Sequence, residues 1–142
     1  MSLPPFKVPP EETFDALYGM RRFEITEQSA RGEVLVRREL MQPWGLIHGG
    51  VYASMAESLA SWATALAVGP DGNVVLGMSN NTSFLRPIGA GTIHALATRR
   101  HRGRSTWVWD VDITDDEQRL CATSRVTVAV RPLEAVSRGS DS

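Results

Sequence analysis

The chain has 142 residues, enough for one domain with a substantial core, and its 42% hydrophobic and 22% charged residues are ordinary for a globular protein. A formal net charge of −1 gives no general attraction to nucleic acid or to an anionic membrane. The single cysteine, Cys121, excludes an internal disulfide and a cysteine-cluster metal site, and is compatible with a reducing cytoplasm.

The N-terminal third of the chain predicts short elements. The first ten residues contain no apolar run, so we expect no signal peptide, and we expect this end and Ser137–Ser142 to fray. Residues Glu11–Gly19 predict a short helix. Phe23–Glu27 and Glu33–Arg38 alternate apolar and polar residues on either side of Gly32, which predicts a hairpin.

A long helix is predicted next, from Gly49 or Gly50 to about Val68, and the sequence Gly69–Gly72 ends it. Its length approaches that of a membrane span. Glu57, several hydroxyl side chains and the lack of basic flanks favour a helix buried in a soluble fold instead. Because it is apolar on nearly every side, it must be wrapped rather than covered on one face.

Four strand patterns separated by turn sequences follow the helix. They run over Val74–Leu85, Thr92–Arg100, Ser105–Thr114 and Leu120–Val130. The third has an apolar face made of Trp107, Trp109, Val111 and Ile113. This order predicts an α+β fold in which a curled antiparallel sheet wraps one central helix. We expect a single domain over residues 1–142, with its core at about 20–132.

Glu57 is the only formal charge between Met41 and Pro70. A carboxylate removed from water costs several kcal/mol unless it is compensated, and no Lys or Arg lies within four residues of it. Glu57 belongs to a polar stripe at helical spacing, made of Ser54, Glu57, Ser58 and Ser61. Glu57 is therefore a candidate for chemistry, with Ser61 one turn away to hydrogen-bond it. The alternatives are a Glu satisfied by serines and backbone, or one that points to solvent.

The start of the helix offers a second chemical group. Gly49 and Gly50 would leave free N–H groups at the positive end of the helix dipole, where they can polarise a carbonyl oxygen. His48 either orients this loop or is a structural histidine. Gly49 and Glu57 are eight residues apart, roughly 12 Å along a helix, so one carbonyl cannot reach both. Either the two act separately or a second subunit completes the site, and we favour the second.

The segment Gln42–Gly50, with Glu57 nine residues after His48 and Ser61 four residues later, resembles the hotdog-fold thioesterases. The likeness is strongest to the branch that hydrolyses aromatic acyl-CoA esters. It extends from Phe23 to Val130 and includes Asn80–Pro87 and His101–Ser105. The resemblance implies a curled sheet of five to six antiparallel strands around one long helix. It also implies a dimer with active sites at the interface, often paired again into a tetramer.

The resemblance also implies roles for single residues. Glu57 would be the nucleophile or the general base, and the Gly49 N–H of the neighbouring subunit would polarise the carbonyl. Gln42 would position the water or the leaving group, His48 would support the site, and Ser61 would stand beside the carboxylate. No metal or other cofactor is expected.

Coenzyme A carries several phosphate charges, which arginines and hydroxyl groups bind well. The dense basic cluster of the chain lies in and after the second of the four strands. The resemblance places nucleotide contacts near this cluster and near Arg86. The residues expected to bind the substrate or CoA are Gly50, Asn81, Arg86, Arg102, Arg104, Ser105 and Thr106. The alternative for the cluster is a solvated hairpin tip.

Four further side chains remain open between two interpretations. Asn80 and Asn81 either bond the backbone or contact the acyl group. Trp44 and Tyr52 either line an aromatic acyl pocket or belong to the core.

We therefore expect a cytoplasmic acyl-CoA thioesterase, acting on a hydroxybenzoyl- or hydroxynaphthoyl-type ester, that needs no nucleic acid or membrane. A medium-chain aliphatic acyl-CoA is an alternative substrate. A hydratase would need a paired Asp and His motif that the sequence lacks. A non-catalytic acyl-CoA binding module is a further alternative, and it would tolerate the loss of Glu57 and Gln42. A purely structural protein is disfavoured by the polar stripe.

Overall fold

One long helix and one sheet make up most of the computed structural model, which describes residues 5–139. The strands are β1 (Arg21–Phe23), β2 (Ser29–Leu35), β3 (Asn73–Phe84), β4 (Thr92–Arg102), β5 (Thr106–Thr114) and β6 (Leu120–Pro132). The helices are α1 (Phe14–Leu17), α2 (Gly49–Val68) and α3 (Leu133–Gly139). All strand pairs are antiparallel, in the order β1-β2-β4-β5-β6-β3.

The sheet curls around α2, which packs against β2, β3, β4, β5 and β6. This confirms the predicted α+β class and hotdog fold. The predicted apolar face of β5 is fully buried, and the Nε1 of Trp109 donates to the Oγ1 of Thr64 on α2 at 2.9 Å. α2 begins and ends within a residue of the prediction. In the described part of the chain, every helix is too short or too polar to cross a membrane.

The predicted N-terminal hairpin exists, but its predicted boundaries are wrong. Gly32 lies in the middle of β2, and the turn between β1 and β2 is residues 24–28 instead. A Cβ on Gly32 would lie 2.5 Å from Met20 Cε and 3.1 Å from Leu59 Cδ2. This glycine is therefore required by close packing of β2 against α2, and a glycine in a strand interior need not mark a turn.

The chain ends differ in part from the expectation. A 3₁₀ turn at Pro10–Glu12 and helix α1 replace the single short helix predicted over Glu11–Gly19. β6 continues to Pro132, and α3 then includes the first residues of the segment Ser137–Ser142 that we expected to fray. Residues 140–142, like residues 1–4, lie outside the described range.

β3 is an edge strand with exposed apolar side chains. Leu76, Met78 and Phe84 are 47%, 58% and 58% exposed, and the register with β6 shifts at Met78. An edge strand presents unpaired backbone N–H and C=O groups, which is a template for pairing with another strand. β3 also runs along α2, so that Phe84 lies at the start of the helix and Gly77 lies beside Glu57.

Candidate active site

The first turn of α2 has an N–H group without an acceptor among the described residues. His48 is the N-cap residue, and its Nδ1 accepts a hydrogen bond from the Gly50 N–H at 2.9 Å. The Val51 N–H donates to the His48 carbonyl at 3.0 Å. Within residues 5–139, no acceptor takes the Gly49 N–H. The Gly49 N–H is therefore free to donate to a ligand at the positive end of the helix dipole.

Close contact with an aromatic ring explains why residue 49 is a glycine. A Cβ at this position would lie 2.8 Å from Cε1 of Phe84, well inside van der Waals contact. The ring of Phe84 also lies 6.2 Å from that of Tyr52, in a tilted arrangement. The free N–H consequently lies next to an exposed aromatic face.

A cleft of about 470 Å³ opens at this point, and we call it the helix-start cleft. It brings together five of the residues predicted for the site, which are Gln42, His48, Gly49, Gly50 and Arg86. Tyr52 and Phe84 add aromatic surface to it. Within the described residues Arg86 makes no ion pair, which leaves its charge available. This cleft can hold a carbonyl compound that also carries an anionic group.

Gln42 is fixed by the loop that precedes α2. Its Oε1 accepts from the Trp44 N–H at 2.5 Å, and its backbone N–H donates to the Leu46 carbonyl at 2.8 Å. Within the described residues, these bonds leave the Nε2 group of Gln42 without an acceptor, and Gln42 lines the helix-start cleft. Trp44 is 83% exposed and does not line the helix-start cleft, so the core interpretation of Trp44 is wrong, and a place in an acyl pocket stays a prediction.

Tyr52, in contrast, is buried and lines the helix-start cleft. Its hydroxyl has no hydrogen-bond partner in the described chain. Burial raises the pKa of Tyr52 to about 12, so the hydroxyl is protonated at neutral pH. Tyr52 therefore contributes a neutral aromatic wall.

Glu57 lies elsewhere on the same helix. It is exposed on the single chain, so the expectation of a carboxylate removed from water is wrong for one chain alone, and the solvent-facing alternative holds there. A Cβ on Gly77 of β3 would lie 3.4 Å from Glu57 Oε1, which places the carboxylate beside the sheet edge. Glu57 has no ion-pair partner within residues 5–139 and does not line the helix-start cleft.

The serines of the polar stripe bond other groups. Ser54 donates to the Gly50 carbonyl at 2.7 Å, and Ser58 donates to Asp15 Oδ2 at 2.7 Å. In the described chain no hydrogen bond joins Ser61 to Glu57, and Ser61 lines a separate cleft with Phe6 and Trp62. The predicted contact between Ser61 and Glu57 is therefore not made within the described chain.

The predicted CoA residues fall into separate places. Arg102, Arg104, Ser105 and Thr106 lie at the β4–β5 hairpin, whose Ser105 carbonyl accepts from Val130 N–H at 2.9 Å. This hairpin lies toward the C-terminal half of α2, because β5 contacts Thr64 while Phe84 contacts Gly49. Gly50 and Arg86 are at the other end of the helix. One chain does not bring the two groups together.

Much of the basic cluster already has partners. Arg102 pairs with Glu27 at 2.9 Å, and its guanidinium lies 5.0 Å from the Trp107 ring. Arg99 donates to the Glu27 carbonyl, and Arg100 pairs with Asp110 at 3.2 Å on the other face of the sheet. Arg104 is exposed. Most of the cluster is exposed, as the alternative of a solvated hairpin tip predicts, and the CoA role of Arg102 and Arg104 stays a prediction.

The two asparagines of β3 have different surroundings. Asn80 donates from Nδ2 to the Ala53 carbonyl at 2.9 Å, which is the backbone-bonded role. Asn81 lines a groove on the sheet face away from α2, together with Asp110 and Thr123. Asn81 therefore lies apart from the helix-start cleft.

Sequence reasoning missed Phe84 as a lining residue of the helix-start cleft, and it missed that helix α1 lies beside the start of α2. Phe84 lies inside the segment Asn80–Pro87 that carries the family resemblance, but nothing in the local pattern shows that it would contact Gly49. α1 lines a second cleft beside the start of α2, and only the folded structure shows this.

The comparisons with known proteins agree with this geometry. The model of the thioesterase superfamily matches residues 45–122, which contain the helix start, α2 and β3. The chain belongs to the thioesterase superfamily. A thioesterase structure from Haemophilus influenzae has a TM-score of 0.81 and 34% identity, covering 86% of this chain and 85% of that one. A 1,4-dihydroxy-2-naphthoyl-CoA hydrolase from Listeria monocytogenes is 35% identical over 113 residues, covering 80% of this chain and 91% of that protein.

Two solved structures of one Staphylococcus aureus protein carry informative substitutions. The first has a TM-score of 0.82 and 28% identity to this thioesterase, covering 85% of this chain and all of that one. In it a glutamate is replaced by alanine, and in the second a glutamine 15 positions earlier is replaced by alanine. Gln42 and Glu57 have the same separation.

Proposed function

We propose that this thioesterase hydrolyses an aromatic acyl-CoA ester to the free acid and CoA, in a site formed between two copies of the chain. The free Gly49 N–H in a cleft that lacks Glu57 is the observation that carries the proposal. Glu57 is exposed and unpaired in the described chain, about 12 Å along the helix from Gly49. Each group is suited to one half of a hydrolytic site, and a single chain keeps them apart.

The edge strand β3 supports pairing of two copies. Its apolar side chains at Leu76 and Met78 are exposed, and Glu57 lies beside the same strand at Gly77. Pairing β3 with β3 of a second copy would be antiparallel and two-fold symmetric. It would bring Glu57 of one copy toward the helix start of the other. A further pairing into a tetramer, and a cytoplasmic location, remain predictions.

The proposed chemistry needs only groups of the chain and water. The Gly49 N–H donates to the thioester oxygen, where negative charge develops as the carbonyl carbon is attacked. Glu57 of the second copy either attacks that carbon to form an anhydride, which water then opens, or removes a proton from the attacking water. In both routes the C–S bond breaks, the CoA thiolate leaves and takes up a proton, and the oxygen of one water ends in the acid.

Two observations favour an aromatic acyl-CoA. Arg86 gives the helix-start cleft a positive charge suited to a CoA phosphate. The Listeria relative is named for a naphthoyl-CoA ester, which has an aromatic acyl group.

The test is thiol release from a panel of aromatic and aliphatic acyl-CoAs by the wild type and by Glu57→Gln. We expect turnover of an aroyl-CoA by the wild type and a loss of kcat of about 10²–10⁴-fold in Glu57→Gln, because the amide is neither a base nor a nucleophile. CoA binding should change little. Glu11→Gln, at an exposed position on the N-terminal segment, is the matched control and should keep full activity.

Two results would contradict the proposal. Near-normal turnover in Glu57→Gln would show that Glu57 is not the catalytic carboxylate. Tight binding of acyl-CoA by the wild type without release of thiol from any ester would indicate a binding module instead.

A further inference from the structure

A second cleft of about 590 Å³ lies on the other side of the start of α2, and we call it the α1 cleft. Like the helix-start cleft, it reaches His48 and Gly50. Its apolar lining comes from Phe14, Leu17, Leu40, Met41 and Val51. A volume of this size is typical of small-molecule sites. The first turn of α2 thus stands between two clefts.

Helix α1 is too short to be stable by itself, and a polar cluster fixes it to α2. Asp15 Oδ2 accepts from Ser58 Oγ at 2.7 Å and from Arg22 Nη1 at 2.8 Å. The Tyr18 hydroxyl donates to Asp15 Oδ1 at 2.8 Å, and burial together with Asp15 raises the pKa of Tyr18. Ser58 lies in the middle of α2, so this cluster ties the wall of the α1 cleft to the central helix.

The cluster is sheltered from water. The side chains of Arg22 and Asp15 are 18% and 23% exposed, and the Arg22 guanidinium lies 4.4 Å from the Trp62 ring. An ion pair with hydrogen-bond partners on both sides holds its geometry far better than an exposed pair does. The position of Leu17, at the end of α1, is therefore fixed by this cluster and by Arg37, whose guanidinium donates to the Leu17 carbonyl.

The two clefts differ in the ligand groups that they suit. Arg86, without an ion-pair partner in the described chain, lies on the helix-start side. The α1 cleft has a mainly apolar lining, and its two charged lining residues, Arg37 and Glu39, pair with each other at 3.5 Å. An acyl-CoA is likewise asymmetric, with an anionic nucleotide at one end and an apolar acyl group at the other. A thioester bound at the Gly49 N–H can therefore extend in both directions from the helix start.

Resting on the proposed hydrolysis, we infer that the α1 cleft receives the acyl group and that Leu17 and Phe14 determine which acyl groups fit. Asp15 and Arg22 are positioning residues, because they act by holding α1 against α2. Leu17 is 72% exposed and Phe14 is 64% exposed on the single chain, so substitutions there change the cleft without removing core.

The decisive experiment compares Leu17→Trp with the wild type on acetyl-CoA, benzoyl-CoA and a bicyclic aroyl-CoA. We expect kcat/KM for the bicyclic ester to fall at least tenfold, mainly through KM, while that for acetyl-CoA stays within about twofold. Leu17→Ala should shift preference in the opposite direction. Leu120→Trp, an exposed leucine that lines neither cleft, is the matched control and should leave the whole panel unchanged.

A second variant tests the positioning cluster. Asp15→Asn keeps the size of the side chain but removes the charge that holds Arg22 and Ser58. We expect KM to rise severalfold for the bicyclic ester and kcat for acetyl-CoA to be unchanged, a split that loss of folded protein would not produce. Thermal unfolding of each variant checks that the fold is intact.

The outcomes separate this inference from the hydrolysis on which it rests. Turnover of acyl-CoA by the wild type, with an equal effect of Leu17→Trp on every ester, would overturn the acyl assignment alone. No turnover of any ester by the wild type would overturn both. A third result would be that Leu17→Trp weakens inhibition by free CoA and leaves the relative kcat/KM of the esters unchanged. That result would place the nucleotide, and not the acyl group, in the α1 cleft and would overturn the assignment.

Discussion

The start of α2 and the β4–β5 hairpin are both rich in polar groups, but they use them differently. At the helix start, Gly49 keeps a free N–H and Arg86 keeps an unpaired charge within the described chain. At the hairpin, Arg102 is paired with Glu27 and lies over Trp107, and Asp110 is paired with Arg100 and Arg125. The hairpin has more charge, yet the helix start has more unsatisfied groups.

This difference favours the helix start over the hairpin as the proposed site, because an unsatisfied polar group is available to a ligand and a paired charge is not. A satisfied ion pair on a surface contributes modestly to stability and must be broken before it can bind a ligand. A free N–H at a helix start needs no such rearrangement. We therefore expect substitutions at the helix start to change activity, and substitutions at the hairpin to change stability slightly.

The largest expected effect comes from mixing two inactive chains. If Gln42 acts in one copy's cleft and Glu57 comes from the other copy, Gln42→Ala and Glu57→Gln should each lose most of their activity. Random pairing of the two would leave one intact site in each mixed dimer, so coexpressed chains should recover roughly a quarter of the wild-type activity. The measurement is the activity of the coexpressed mixture and of the mixed dimer isolated through two different tags, for which about half of the wild-type activity is expected because one of its two sites is intact.

A control separates true complementation from partial activity. Glu57→Gln mixed with Glu57→Ala should stay inactive, because both chains lack the same group. If the Gln42 and Glu57 variants show no recovery when mixed, both groups belong to one chain's site, and the helix start would not depend on a second copy.

Arg86 and Arg102 are expected to differ in how much each contributes to substrate binding. Arg86→Ala should raise KM for an acyl-CoA about tenfold, since a lost charge-assisted hydrogen bond is worth about 1.5–3 kcal/mol. Arg102→Ala should change KM less than about threefold, because Arg102 is engaged by Glu27. Steady-state kinetics and inhibition by free CoA give both values, with Arg86→Lys retaining part of the affinity. A larger rise in KM on substitution of Arg102 or Arg104 than of Arg86 would indicate that the hairpin binds CoA and would contradict this prediction.

The central elements of the fold were predictable because their patterns are local. The apolar run from Gly49 to Val68 and the alternation in β5 each depend on neighbours in sequence, and both predictions are confirmed. The prediction of a turn at Gly32 was wrong because this glycine serves a long-range contact. It makes room for Met20 and Leu59, which no local pattern shows.

The sequence predicted which residues belong to the candidate site better than it predicted where those residues lie relative to one another. Gln42, His48 and Gly49 meet because the loop and the helix start are contiguous in sequence. The exposure of Glu57 and the distance of Arg102 from the cleft depend on how β3 and β5 run along α2. The position of α1 beside α2 depends on the hydrogen bond between Asp15 and Ser58, which are 43 positions apart in sequence. Such a long-range pair cannot be predicted from the type of either residue alone.

The smallest effect concerns the hairpin region itself. The hydrogen bond from Arg125 lowers the pKa of Asp110, and Arg100 adds to the effect, so the carboxylate stabilises the fold in its ionised form. Because the folded-state pKa is the lower one, this contribution is present above the unfolded value, near 3.9, and is lost as the pH falls through the folded value. Asp110→Asn should reduce the free energy of unfolding at pH 7 by no more than about 1 kcal/mol, as is usual for exposed pairs.

Urea unfolding at pH 7 and pH 3 tests this prediction, and the gap between wild type and Asp110→Asn should narrow at the lower pH. The same variant should hydrolyse acyl-CoA at the wild-type rate, since Asp110 lies on the sheet face away from α2. A loss of activity without a loss of stability would mean that the hairpin's satisfied charges also serve the reaction. Asp110 has two arginine partners, so its action as a ligand-binding group would show that paired charges also bind substrate. The proposed difference between the helix start and the hairpin would then be wrong.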